Sequence, residues 1–224
     1  MDEELDPAGR VVSTRRLESF TDGVFAIAAT LLVLDLSVTK LGPAIANDSD
    51  LWSALGGQSH ALLSFAISFV LLGMLWTIHV WEFEFIGRVT QTLAFLNTLR
   101  LMGIVLIPFT TSLSSNFPDL MAGRLLLPIN FLVVCLIGAA QWGYATRSPL
   151  VGVHGLSAES LRATKMGTYV AVLSAVITLA LAPWLGAYAF LAFVLNPIAD
   201  RIPALRRPRR PARSARTADP PVAG

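Results

Sequence analysis

The sequence predicts an all-α membrane protein with six transmembrane helices per subunit, and three observations predict it. Of 224 residues, 54% are hydrophobic and only 14% charged, against about 25% charged in soluble domains. Apolar runs of roughly 20 residues recur, long enough to cross a hydrocarbon core of about 30 Å. They are continuous rather than alternating, which selects helices over a closed barrel. Lys and Arg gather on one side of such a bundle, the asymmetry that fixes orientation in a bilayer.

Residues 1–15 read as a polar N-terminal segment, 16–200 as the six-helix transmembrane domain, and 201–224 as a basic, Pro-rich cytoplasmic tail without apolar periodicity. The first helix runs over roughly 17–38. It holds Asp22 and Asp35 and no small-residue cleavage site follows, so it reads as a retained helix. Residues 39–53 carry Gly, Pro, Asn and Asp and read as a loop. The second, third and fourth helices run over roughly 55–83, 91–113 and 121–145, and 146–161 is a polar connection. The fifth spans roughly 163–182. Pro183 marks a tight turn into a sixth over roughly 184–199. Six crossings put both termini on one side, with Arg10, Arg15, Arg16, Arg88, Arg147, Arg162, Lys165 and the Arg-rich tail. Lys40 and Arg124 fall opposite. Both termini are therefore expected in the cytoplasm of a multi-pass protein of the cell membrane.

Ionisable groups inside a membrane helix are costly and mark candidates for function. Asp22 lies about one and a half turns above the cytoplasmic start of the first helix, His79 about one turn from the end of the second, and Asn97 about one and a half turns into the third. The three fall in one layer, with Trp76 on the same face as His79 by its i,i+3 spacing. The layer reads either as a polar cluster pinning helices together or as an ion or proton site, and a carboxylate, an imidazole and an amide are able to satisfy one another. Further along the first helix, Ile27, Leu31 and Leu34 make an apolar stripe at i, i+4, i+7. In a monomer the stripe is core; around an oligomer axis it is a stack of apolar rings able to close a pore by dewetting. Thr30 offers the hydroxyl at that depth. Asp35, near the outer end, reads either as a pore-mouth carboxylate that concentrates cations or as the partner of Arg124. Arg100 either snorkels or pairs with an acid such as Asp22 or Glu84.

Cys135 is the single cysteine, so the chain has neither an intrachain disulfide nor a cysteine metal site. No nucleotide loop, zinc spacing or nucleophile elbow is present, and no Thr-Val-Gly-Tyr-Gly filter. Neither an enzyme nor a cofactor is expected, nor a nucleic-acid partner. The functions that remain are a passive cation channel and, as an alternative, a proton-coupled secondary transporter using Asp22 and His79.

The stretch from Arg16 through Phe20-Thr21-Asp22 to Asp35 resembles the signature helix of the lysosomal potassium channel family and its prokaryotic relatives, with Thr21 in place of the family's serine. Trp76-Thr-Ile-His79 resembles the family's Trp-x-x-His, and Asn97 followed by Pro108-Phe109 its Asn…Pro-Phe stretch. The resemblance covers the first half of the chain. It implies a homotetramer, because one six-helix unit per chain is the prokaryotic pattern, with the first helix of each subunit lining a central pore. It implies that Ile27, Leu31 and Leu34 form the constriction, that Thr30 contributes to potassium preference, and that Arg16, Phe20, Thr21, Asp22, Trp76 and His79 form a network behind the pore helix, with Asn97 from the third helix. The permeant ion would be potassium, and the partners would be membrane lipids, monovalent cations and further copies of the chain.

Overall fold

The computed structural model describes residues 14–36 and 45–194. Its helices are α1 (Thr14–Leu31), extended by a 3-10 turn (Leu32–Asp35), then α2 (Asp48–Gly57), α3 (Ser59–Glu84), α4 (Gln91–Asn116), α5 (Met121–Ala145), α6 (Ala158–Leu185), a second 3-10 turn (Gly186–Phe190) and α7 (Leu191–Val194). No strand occurs among the described residues. Among the described residues, five segments are long and apolar enough to cross a membrane: α1 with its 3-10 extension, α3, α4, α5, and α6 with the turn that follows.

Polar residues at the helix starts explain several boundaries. Asn47, Thr90 and Ser157 each accept a hydrogen bond from a backbone N–H three residues on, at 3.0, 3.2 and 3.1 Å. Each satisfies one of the donors that a first turn leaves unpaired. The Ser157 cap starts α6 at Ala158, ahead of the expected 163, and the Asn47 cap opens α2 inside what reads as a loop in sequence. The expected turn at Pro183 is not there. Pro183 lies within α6, and the helix stops at Gly186, whose φ of +55° suits a residue without Cβ. Of the sixth helix expected over 184–199, Trp184 and Leu185 belong to α6, 186–190 form the 3-10 turn, and 191–194 are α7. The rest of it lies outside the described residues, as do residues 1–13, Lys40 and the basic tail.

α4 is the central helix of the bundle, packed against α1, α3 and α5, while α6 lies on the far side of α5. One apolar core joins Phe25, Ala28 and Leu32 to Leu71, Leu101, Ile104 and Phe131. A second, around Leu17, Phe83, Leu93 and Trp142, seals the end that carries the α3–α4 and α5–α6 connections. These connections are tied by an antiparallel bridge between Ile86 and Val153, with Arg88 N–H donating to Val151 O at 3.0 Å and His154 N–H to Phe85 O at 3.1 Å.

Candidate pore-lining helix and its polar support

α1 has two faces. Leu17, Thr21, Phe25, Ala28 and, in the 3-10 extension, Leu32 recur at helical spacing and are buried against the bundle. On the other side Phe20, Ile27, Leu31 and Leu34 are 59%, 61%, 40% and 67% exposed. The 3-10 extension keeps Leu34 in line with Leu31, because residues three apart eclipse in that geometry. Such a face suits lipid or another protein surface rather than water. Thr30 is also exposed, and its hydroxyl donates to Ile27 O at 2.8 Å. The donor is thereby used within the helix, while the oxygen keeps acceptor capacity.

Behind α1, five buried polar side chains form one chain of hydrogen bonds. Asn97 Nδ2 donates to Thr21 Oγ1 at 2.9 Å, and Gln141 Nε2 donates to Asn97 Oδ1 at 3.2 Å. Arg100 Nη1 donates to Gln141 Oε1 at 3.3 Å and to Glu82 Oε2 at 2.8 Å. The chain links α1, α4, α5 and α3, and pairs the buried guanidinium with a buried carboxylate. Gly138 makes room for it: a Cβ there would lie 3.2 Å from Arg100 Cζ. Arg100 was expected to snorkel or to pair with Asp22 or Glu84; its acid is Glu82. Sequence reasoning passed over both Glu82 and Gln141. The signal for Glu82 was its i+3 spacing from His79, which turns it inward while Glu84 is exposed.

The expected layer of mutually satisfied Asp22, His79 and Asn97 is divided differently. Asp22 is exposed and accepts from Trp76 Nε1 at 2.9 Å. Asn97 bonds Thr21 instead. His79 is buried, its ring centroid 4.3 Å from Phe83 and 6.0 Å from Phe25, and neither ring nitrogen has a hydrogen-bond partner among the described residues. Trp76 and His79 do share a side of α3, but three residues advance by only about 300° around a helix. That offset leaves Trp76 at the edge facing Asp22 and turns His79 into the core. Arg16 and Phe20, expected in the same network, are exposed on α1.

Asp35 is 7% exposed and faces the end of α4, accepting from Ser112 Oγ at 3.0 Å, from Ser115 Oγ, and from Asn116 Nδ2 at 3.1 Å. It therefore lies off the exposed stripe. Nor does Arg124 reach for it: Nε donates to Pro118 O at 2.6 Å and Nη1 to Pro183 O at 2.8 Å, clamping the α4–α5 loop to the end of α6.

Comparison with known proteins bears on this arrangement. The family model described as endosomal/lysosomal potassium channel TMEM175 matches residues 16–108. A potassium channel of Streptomyces collinus is 35% identical over 156 residues, covering 67% of this chain and 73% of that one. The human endosomal/lysosomal proton channel TMEM175 is 27% identical over 164 residues, 73% of this chain and 31% of that protein, so the chain spans about a third of its human relative. The crystal structure of a lysosomal potassium-selective channel TMEM175 homolog from Chamaesiphon minutus superposes with a TM-score of 0.69 at 26% identity, covering 85% of this chain and 98% of that one. The chain belongs to the TMEM175 channel family.

Proposed function

We propose that this protein is a potassium-permeable cation channel of the cell membrane, a homotetramer in which α1 of each subunit lines a central pore. The observation that carries the reading is the exposed apolar stripe of α1, opposite a face buried in the same subunit's core. Four such stripes around an axis place Ile27, Leu31 and Leu34 in stacked rings that close the water path by dewetting. Thr30 adds a ring of hydroxyl oxygens beside them, their protons held by the helix backbone. The Lys/Arg asymmetry puts both termini in the cytoplasm. The Thr21-to-Glu82 hydrogen-bond chain, with the Asp22–Trp76 bond and the His79 ring, holds α1 against α3 and α4 from behind.

The Streptomyces and Chamaesiphon relatives are named for potassium, and their identities support the choice of ion. A proton-coupled carrier working through Asp22 and His79 draws no support from the geometry, since the one is bonded to Trp76 and the other is enclosed by phenylalanines.

Purified protein in planar bilayers tests the proposal. Ohmic potassium currents are expected, rising several-fold in Ile27→Ala or Leu31→Ala. Currents that saturate and follow an imposed proton gradient, or alanine variants indistinguishable from the parent, would refute it.

A further inference from the structure

At the end of the bundle opposite the α3–α4 and α5–α6 connections, a pocket of about 290 Å³ opens between the start of α3, the α4–α5 loop and the end of α6. Arg124 stands in its wall, the one Lys or Arg at this end among the described residues. Its guanidinium is fixed in place, with Nε and Nη1 spent on the Pro118 and Pro183 carbonyls. Nη2 is left with Asp119 Oδ1 at 4.0 Å, beyond hydrogen-bond distance, and the Asp119 side chain is 98% exposed. His60 lines the same pocket, and its Nε2 has no hydrogen-bond partner among the described residues. Trp184 and Tyr188, also in the lining, are exposed. Such amphipathic rings gather at the depth of lipid headgroups. Ile177, seven residues before Trp184, is exposed on the same face of α6.

We propose that this pocket holds the headgroup of a phospholipid that carries a primary amine, with the phosphodiester on Arg124 Nη2 and the ammonium on Asp119. A planar guanidinium fixed by two backbone carbonyls is a preorganised phosphate receptor with N–H donors to spare. Asp119 alone is a poor partner for it, because a loose, exposed ion pair contributes little. A zwitterion entering between the two exchanges one long contact for two charge-assisted hydrogen bonds. The amine is primary, since a quaternary ammonium has no N–H to offer the carboxylate. A phosphate or ester oxygen in the pocket also gives His60, as its Nε2–H tautomer, an acceptor. The source is a lipid rather than a free phosphate ester. The pocket lies among interfacial aromatics, and the Ile177–Trp184 face of α6 gives the acyl chains an apolar track away from it.

Native mass spectrometry of the full chain tests this, with the solubilised protein given equal amounts of phosphatidylethanolamine, phosphatidylglycerol and phosphatidylcholine of matched acyl chains. Phosphatidylethanolamine is expected to be retained over the other two by roughly fivefold, the upper end for an exposed charge pair. Asp119→Asn should abolish its preference over phosphatidylglycerol, and Arg124→Gln should lower retention of all three lipids. Asp119→Asn alters a side chain that is 98% exposed, so it decides the matter even where Arg124→Gln fails to fold. Soluble glycerophosphoethanolamine, lacking acyl chains, should leave the bound lipid in place. Equal retention of the three lipids by the parent, or a preference that survives Asp119→Asn, overturns the proposal. So does unchanged retention in folded Arg124→Gln. Displacement by an equal concentration of the soluble headgroup overturns the lipid as the source. None of these readouts depends on whether the protein conducts ions.

Discussion

Glu82→Ala is the sharpest probe of the bundle. The Arg100–Glu82 pair lies at 2.8 Å with both side chains buried. At an effective dielectric of about 20, a pair at that distance attracts by about 6 kcal/mol. Most of that is offset by the desolvation of both ions, so the pair is a weak net stabiliser compared with an apolar replacement. Removing one partner is different, because the remaining charge stays buried. Such losses run to about 3–5 kcal/mol. With Gln141 still on the guanidinium, the lower end applies, about 3 kcal/mol. For a chain of this size that is a melting-temperature drop of roughly 6–12 °C, readable by size-exclusion chromatography of heated, detergent-solubilised protein. Glu82→Leu combined with Arg100→Met should recover most of the loss, since it removes both charges and fills the space. A drop below about 2 °C in Glu82→Ala, or a double variant no more stable than the single one, would refute the view of Arg100 as a buried charge that depends on Glu82.

Three further outcomes follow from the same geometry. His79→Ala empties the space beside Phe25 and Phe83, so it should cost about 2–4 kcal/mol; oligomer survival on heating should fall while the potassium-to-sodium permeability ratio stays within about twofold of the parent's. Asp35→Leu strands the Ser112, Ser115 and Asn116 donors, at about 1–3 kcal/mol for each one left unsatisfied, whereas Asp35→Asn should leave single-channel conductance nearly unchanged; a several-fold fall in Asp35→Asn would mean that the carboxylate faces the ion path. Gly138→Ala puts a Cβ 3.2 Å from Arg100 Cζ, so thermal stability should fall by about 1–2 kcal/mol, an effect that should vanish in Arg100→Met.

What was legible in the sequence follows the kind of signal each feature carries. The span Met121–Ala145 matched its expected bounds because an apolar run between polar loops is a local property. The Ile27, Leu31 and Leu34 stripe was legible for the same reason, since its spacing is a property of one helix, but whether it faced the core or away from it was not. Pro183 misled because a membrane helix tolerates a proline that a soluble one would not, and the stop belonged to Gly186. The partners of the intramembrane polar groups were not legible, because a depth argument gives height along the bilayer but not rotation about each helix axis. Asp22, His79 and Asn97 were placed in one layer by height alone; their partners turned out to be Trp76, two phenylalanine rings and Thr21.

By itself, the sequence determined that the chain is a helical membrane protein, where its first four long apolar helices lie, and that the first helix carries an aliphatic stripe at the spacing of a single face. Hydrophobicity and period act within one segment and need no neighbour. Only the tertiary structure decided that the stripe points out of the subunit, that Arg100 takes Glu82 rather than Asp22 or Glu84, and that Asp35 is folded against α4. Those outcomes depend on how each helix is rotated against the next, and rotation is set by packing among residues far apart in the chain.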